Sequence, residues 1–332
     1  MNEKRLGWNR WLVLAVKIGV VGLVIWFVRQ TIVEAWSQLG GYPWTFHAGW
    51  LALAGGLYLL GLFPAALFWY WCLRALGQHP HFGETVRAYY IGHLGKYVPG
   101  KAMVIVIRAG MVGGHRVDLG VAAASVFLES LTWIAVASFL AAGYLAASVS
   151  HGDAVFWAAL GLMAATGIPT LPPVFPWLAR LAGVGKGDPE IVEKLHQLGY
   201  GTTLLGWALM SIGWVFMGLA YWATVRALCL PGIESLAELP RYTAAVALAV
   251  VAGFVAIFIP AGMGVREAAL VQIMMPYLRG VTAKAALVAW ATAVLFRLVS
   301  VVSELGISGI LYVAGIRKPK HPPVEPPTAQ DA

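Results

Sequence analysis

Six runs of this chain are long enough and apolar enough to cross a bilayer: Trp11 to Val28, Leu51 to Leu73, Leu119 to Ala147, Ala154 to Leu178, Thr202 to Leu228 and Ala283 to Ala314. At about 1.5 Å of rise per residue, a helix of roughly 20 apolar residues covers the hydrocarbon of a membrane. Lipid offers no water to the backbone amides, so each run must satisfy them internally as a helix. The remainder builds no soluble core. Its longest polar stretches are Gly185 to Gln197, read as a connection, and the Pro-rich tail after Arg317.

Two further apolar stretches are broken in the same way. Gly92 to Arg108 reads GHLGKYVPGKAMVIVIR, and Phe258 to Glu267 reads FIPAGMGVRE. Pro99 and Gly100 interrupt the first; Pro260, Gly262 and Gly264 interrupt the second. Proline cannot continue the backbone ladder, and irregular backbone is tolerated at bilayer depth only within protein or beside a wet cavity. A pair of such breaks points to a buried polar site. The expected architecture is an all-α polytopic membrane protein with about six full transmembrane helices and two broken or re-entrant elements. Residues 1–316 form one membrane domain, and residues 317–332 are expected to be a disordered cytoplasmic tail.

The context of the breaks also repeats. Glu84 to Arg87, the first break and the Leu119 to Ala147 run make one series; Glu238 to Arg241, the second break and the Ala283 to Ala314 run make the other. Halves at about 48–182 and 200–316 follow. Basic residues set the orientation: an N-terminus in the cytoplasm places Arg74, Arg87, Arg116, Arg180, Lys186, Lys194, Arg317, Lys318 and Lys320 on that side. Both termini are then cytoplasmic, in an inner membrane. The first break is entered from the cytoplasm and the second from outside, so the repeat is inverted, an arrangement transporters use for alternating access.

The net charge of +8 fits this positive-inside pattern and attraction to anionic lipid, with no need of nucleic acid. The first apolar run is read as an uncleaved helix in which Lys17 snorkels to the headgroups. Cys72 and Cys229 fall toward opposite ends of their spans, so neither a disulfide nor a metal site is expected. Trp26, Trp36, Trp44, Trp50, Trp69, Trp71, Trp177, Trp214 and Trp222 are expected mostly at span ends, in interfacial belts. Pro169, Pro172, Pro173 and Pro176 should kink or shorten the Ala154 to Leu178 span.

The candidate site follows from charges that hydrocarbon does not accept. Lys96, Lys101 and Arg108 would each cost about 2.5–3.5 kcal/mol at a span centre, so they should face a cavity, a partner or the interface. Arginine offers a fork and lysine a point charge, both suited to phosphate. Arg266 and Glu267 are adjacent on a helix, point in different directions and need separate partners. Ser125, Glu129 and Thr132 draw a polar stripe on one span, and Arg297, Ser300 and Glu304 on the last. Lys96, Lys101, Arg108, Glu129, Arg266, Glu267 and Arg297 are therefore the candidate headgroup-binding residues. Glu129 and Arg297 are expected to face the bundle centre, in a charged network with the broken segments or in a static interhelical ion pair. His93, beside Lys96 and Tyr97, and Glu304 are candidate relays.

With these motifs in order, the chain resembles the transmembrane region of lysylphosphatidylglycerol synthases, a flippase-like integral membrane family that also occurs without a synthase domain. The resemblance rests on KYVPGKAMVIVIRAGMV (Lys96 to Val112), Glu129, FIPAGMGVREAAL (Phe258 to Leu270) and VLFRLVSVVSELG (Val294 to Gly306), within roughly Trp11 to Ile316. It departs from the family pattern in the first break, where Pro99-Gly100-Lys101-Ala102-Met103 brings no Gly-Glu before Arg108, and at Ser130, which stands where the pattern has an arginine after the glutamate. The first site is thus more cationic than the pattern implies.

The expected function is a lipid flippase or transporter for an anionic or modified lipid of phospholipid, aminoacyl-lipid or polyprenyl-phosphate type. An accessory membrane subunit for an envelope-lipid enzyme or glycosyltransferase is the alternative, followed by an intramembrane lipid-modifying enzyme. Against an enzyme stands the lack of a catalytic motif, a nucleotide loop or a metal-ligand cluster. No cofactor is expected, and the partners are membrane lipids, with an envelope-biosynthesis enzyme as a further candidate.

Overall fold

The structure, a computed structural model, describes residues 44–98, 102–114, 116–148, 154–181, 183, 189–229, 235–256, 262 and 264–316. The run from Trp11 to Val28 with Lys17, the break residues Pro99, Gly100, Lys101 and Pro260, and the tail lie outside them. The described elements are helical, joined by 3-10 turns and short connections. In chain order the helices are α1 (Ala48–Ala75), α2 (Phe82–His93), α3 (Ala102–Val112), α4 (Leu119–Ser148), α5 (Ala154–Gly167) and α6 (Phe175–Leu181). They continue as α7 (Pro189–Leu195), α8 (Tyr200–Arg226), α9 (Leu239–Val255), α10 (Val265–Arg279) and α11 (Ala285–Ile316).

Five of these elements have the length and apolar composition of a membrane span: Ala48–Ala75, Leu119–Ser148, Tyr200–Arg226, Leu236–Val255 and Ala285–Gly315. Two differences from the sequence expectation stand out. The run from Ala154 to Leu178 is not one straight span: Phe156–Thr170 and Phe175–Leu181 meet at 85°. Its prolines remove backbone donors and turn the chain there. The helix before the second break is itself long enough to span, because the alanine and valine run after Thr243 has no interruption until Ala256. The polar connection from Gly185 to Gln197 also contains α7, whose Ile191, Val192 and Leu195 are buried in the core while its charged residues face away.

The centre of the fold is the crossing of α1 and α8, and two glycines make it close. A Cβ on Gly61 would sit 3.0 Å from the Gly213 carbonyl oxygen, and one on Gly213 would sit 2.7 Å from that of Gly61. Small residues let membrane helices approach backbone to backbone where no hydrophobic force drives them together. Around this crossing, helices α1 to α4 and α8 to α11 make corresponding contacts. Within the series α2 packs on α3 and α3 on α4, as α9 packs on α10 and α10 on α11; between them α4 meets α9 and α2 meets α11.

Each broken element is a hairpin whose two ends meet. At the base of the first, the His79 amide donates to the Arg116 carbonyl at 3.2 Å and the Asp118 amide to the Gln78 side chain at 2.8 Å. At the base of the second, the Arg241 guanidinium lies 4.7 Å from the Tyr277 ring centroid. Both hairpins are also clipped to the far half. Arg87 donates to the Leu311 carbonyl near the end of α11 at 3.0 Å, and Arg241 donates to the Tyr144 hydroxyl near the end of α4 at 2.8 Å.

Candidate functional site: a charged cavity between the hairpins

The charged side chains of both breaks turn inward, where the long helices carry their polar stripes. In the first hairpin, Gly92 leaves room for the Arg108 side chain to cross α2, and a Cβ there would meet its Cγ. The Arg108 guanidinium donates to Glu129 on α4 at 2.6 Å and stacks 3.8 Å from the Tyr89 ring centroid. Tyr89 donates to the other Glu129 oxygen at 3.3 Å, and the Ser130 hydroxyl donates to the oxygen that Arg108 holds, at 3.4 Å. Both members of the pair are almost completely buried. A buried pair survives only with such added hydrogen bonds, because each ion loses its water. Beside it, Ser125 accepts from the Trp69 indole at 2.9 Å and Thr132 caps a carbonyl of its own helix.

Glu304 of α11 is the second hub. Lys96 lies 2.5 Å from one of its oxygens, Tyr58 donates to the same oxygen, and Tyr97 donates to the other at 2.9 Å. His93 connects the hubs, with Nε2 3.0 Å from Lys96 Nζ and Nδ1 3.4 Å from the Arg108 guanidinium. A ring nitrogen thus faces a cation on each side. A doubly protonated ring would set donor against donor at both contacts and a neutral ring at only one of them, and Nε2 also lies 3.6 Å from a Glu304 oxygen.

The second hairpin supplies the third cluster. Gly262, at φ +65°, adopts a left-handed backbone that suits glycine, and a Cβ there would lie 2.5 Å from Gly253 Cα. Gly253 in turn leaves space for Arg266, whose Cγ would be 2.6 Å from an added Cβ. Glu267 pairs with Arg297 of α11 at 3.9 Å, and Arg297 also lies 5.7 Å from the Tyr97 ring centroid. Arg266 makes no ion pair with a carboxylate among the described residues, and its buried Nε has no hydrogen-bond partner there.

Between these clusters lies a cavity of about 80 Å³. Its polar end is formed by His93, Lys96, Arg266, Glu267 and Arg297, and its apolar wall by residues that include Trp133, Trp214 and Phe296. The volume exceeds the roughly 10–15 Å³ that one water needs on this measure, so the polar end can be wet. Four cations, Lys96, Arg108, Arg266 and Arg297, stand against three carboxylates, Glu129, Glu267 and Glu304. The described site therefore carries one positive charge in excess, in surroundings that penalise an uncompensated ion.

The sequence-derived residues divide accordingly. Lys96, His93, Arg266, Glu267 and Arg297 line the cavity; Glu304 holds Lys96 from behind; Arg108 and Glu129 form a separate pair set back from it. Glu129 and Arg297 do not pair with each other, since each meets a residue of a hairpin. Gly262 and Gly264 form the entry to α10, both with positive φ. Lys101, Pro99, Gly100 and Pro260 are outside the described residues. The sequence reading missed Tyr58, Tyr89 and Trp133, because an aromatic residue on a helix that is apolar all round gives no sign of which neighbour it meets. Two tryptophans expected at interfaces are instead fully buried. Trp69 sits against the Arg108 pair, and Trp214 stacks on Trp133 with ring centroids 4.4 Å apart and donates to its carbonyl. Cys72 is buried and Cys229 exposed, both as free thiols. Among the described residues no group of His, Cys, Asp or Glu could hold a metal ion.

This fold and site define a polytopic α-helical membrane protein with a charged chamber between two helical hairpins. The chain belongs to the family described as the lysylphosphatidylglycerol synthase TM region, whose model matches residues 13–306. A search of curated proteins finds no match. The family is that of a membrane domain with lipid-related functions.

Proposed function

We propose that this protein moves lipids with anionic headgroups across a membrane, the headgroup passing through the chamber while the hydrocarbon chains stay in the bilayer. One observation carries the reading: the cavity lies among membrane-length helices and is lined by more cations than carboxylates. A guanidinium without a carboxylate in such a place is an anion receptor. The two helical series are read as an inverted repeat related by the α1 and α8 crossing, which their corresponding contacts and the paired arginine clips support. The positive-inside pattern supports a cytoplasmic membrane, with both termini inside and the two hairpins entering from opposite faces.

The test is a purified-protein assay in liposomes, following the accessibility of fluorescent anionic, aminoacylated and polyprenyl-phosphate lipids to a membrane-impermeant quencher. Movement of at least one class above protein-free vesicles is expected. Chemical alteration of the lipid without movement would instead indicate an enzyme, and inertness toward every lipid would leave the role of an accessory subunit.

A further inference from the structure

The polar stripe of α11 does not stop at the chamber. Arg297, Ser300, Glu304 and Ser308 follow one another at intervals of three and four, which sets them on one face, and Leu311 continues it. This face meets the first hairpin in order. Arg297 and Ser300 line the cavity, and Lys96 and His93 stand against Glu304. Next, the Ser308 hydroxyl donates to the Tyr90 carbonyl at 3.1 Å, and near the ends of both helices the Arg87 guanidinium donates to the Leu311 carbonyl at 3.0 Å. A seam of polar contacts between α2 and α11 thus leads from the rim of the fold to the chamber.

Arg87 closes this seam without being locked into it. Leu311 lies within α11, whose own ladder keeps its carbonyl satisfied when Arg87 leaves. Gly315, one turn further on, makes the contact possible, because an added Cβ there would fall on the Arg87 guanidinium. Glu84, exposed in the first turn of α2, has no ion-pair partner among the described residues. It stands three residues before Arg87, the spacing at which Glu238 holds Arg241 at 3.0 Å. Arg241, in contrast, keeps that glutamate while it donates to Tyr144 at 2.8 Å and lies over the Tyr277 ring. Of the two arginine clips, the one at Arg87 is the weaker.

We propose that the seam between α2 and α11 is a lateral gate to the chamber, latched by Arg87 on the Leu311 carbonyl and released when Arg87 turns to Glu84. This rests on the lipid-moving reading above. A lipid whose chains stay in the bilayer needs an opening along the whole path of its headgroup, and hydrocarbon on that path would penalise a charged group. The seam supplies polar groups at each step, and its outermost contact is a single hydrogen bond from a half-buried arginine.

Two measurements test the gate, both in protein carrying Cys72→Ala and Cys229→Ser. In the first, Ser300→Cys places a thiol in the cavity wall, and its reaction with sulfonatoethyl methanethiosulfonate, a small anionic thiol reagent, is timed in detergent. Arg87→Met and Gly315→Ala should each speed the reaction about two- to tenfold, the worth of one hydrogen bond. Loss of a cation would by itself slow an anionic reagent, so a rise reports opening. Should Arg87→Met fail to fold, Gly315→Ala, which keeps the arginine, decides alone. An unchanged rate in a folded variant overturns the latch. In the second, Arg87→Cys and Gly315→Cys are joined by a short bifunctional methanethiosulfonate in liposomes. Lipid movement in the quencher assay should stop on linking, return with reductant, and persist in the single-thiol variants. Movement that continues through complete cross-linking overturns the gate. A cavity thiol that reacts faster in the variants of a protein that moves no lipid upholds the gate and overturns the transport reading.

Discussion

Arg108 and Arg297 are both buried arginines opposite a glutamate, yet their surroundings assign them different work. Arg108 is enclosed by Glu129, Tyr89 and His93 and does not line the cavity; Arg297 does. Removing one partner of an enclosed pair strands a buried charge, a loss of about 3–5 kcal/mol, whereas replacing both with apolar residues of similar size is often neutral. Arg108→Met and Glu129→Leu should therefore each lower the thermal unfolding temperature in detergent, and the double variant should recover most of the loss while still moving lipid. A double variant as unstable as the singles, or folded but inactive, would show that the pair acts on the headgroup itself. Arg297→Met is expected to do the reverse at the level of function. Headgroup movement should fall by about tenfold or more in protein that still reconstitutes, because the lost contact lies at the cavity. Normal movement by that variant would remove Arg297 from the site.

The helices themselves are held at their closest point by the two glycines of the α1 and α8 crossing. An added methyl on either meets a backbone carbonyl, which cannot rotate away as a side chain can. Gly61→Ala and Gly213→Ala should each cost about 1–3 kcal/mol, the usual range for overpacking. Gly56, exposed on α1 with no atom within 4 Å of an added Cβ, is the control; alanine there should stabilise by about 0.5–1 kcal/mol through helix propensity. Unfolding temperatures of the three variants check this, and a neutral Gly213→Ala would show that the helices do not cross so closely. This crossing could not be read from the sequence. The four long runs at α1, α4, α8 and α11 could, because hydropathy over some 20 residues is insensitive to neighbours. So could the inward turn of Arg108, Glu129, Arg297 and Glu304, since lipid excludes charge. The partner of each charge was beyond reach: choosing Glu267 for Arg297, and leaving Arg266 without a carboxylate, depends on how two distant hairpins dock. The same limit hid the burial of Trp69 and Trp214, whose apolar bodies and polar tips suit an interface and a core equally.

The arrangement of the whole chain decides whether the chamber can be reached from both faces. The base of the first hairpin is closed by the contacts of Gln78 and His79 with Asp118 and Arg116, so the chain enters and leaves that hairpin on one side. From there α4 crosses, the bent pair α5 and α6 follows, and α8 crosses again before the second hairpin begins at Ser235. The outcome turns on the bent pair. If it completes a crossing despite its 85° bend, the two hairpin bases lie on opposite faces and the series are inverted; if it only dips into the membrane, they share a face and a single entrance serves both. Tyrosine, arginine and glutamate at the hairpin bases do not distinguish the two, but thiol labelling does. In a background carrying Cys72→Ala and Cys229→Ser, the single substitutions His79→Cys and Ser235→Cys place thiols at two exposed sites, one at each base. A membrane-impermeant maleimide added to intact cells should label Ser235→Cys and spare His79→Cys until the membrane is opened, the pattern set by the positive-inside distribution. Labelling of both from one side would make the series parallel and remove the alternating-access arrangement. The charged cavity would then serve a lipid entering and leaving by the same face.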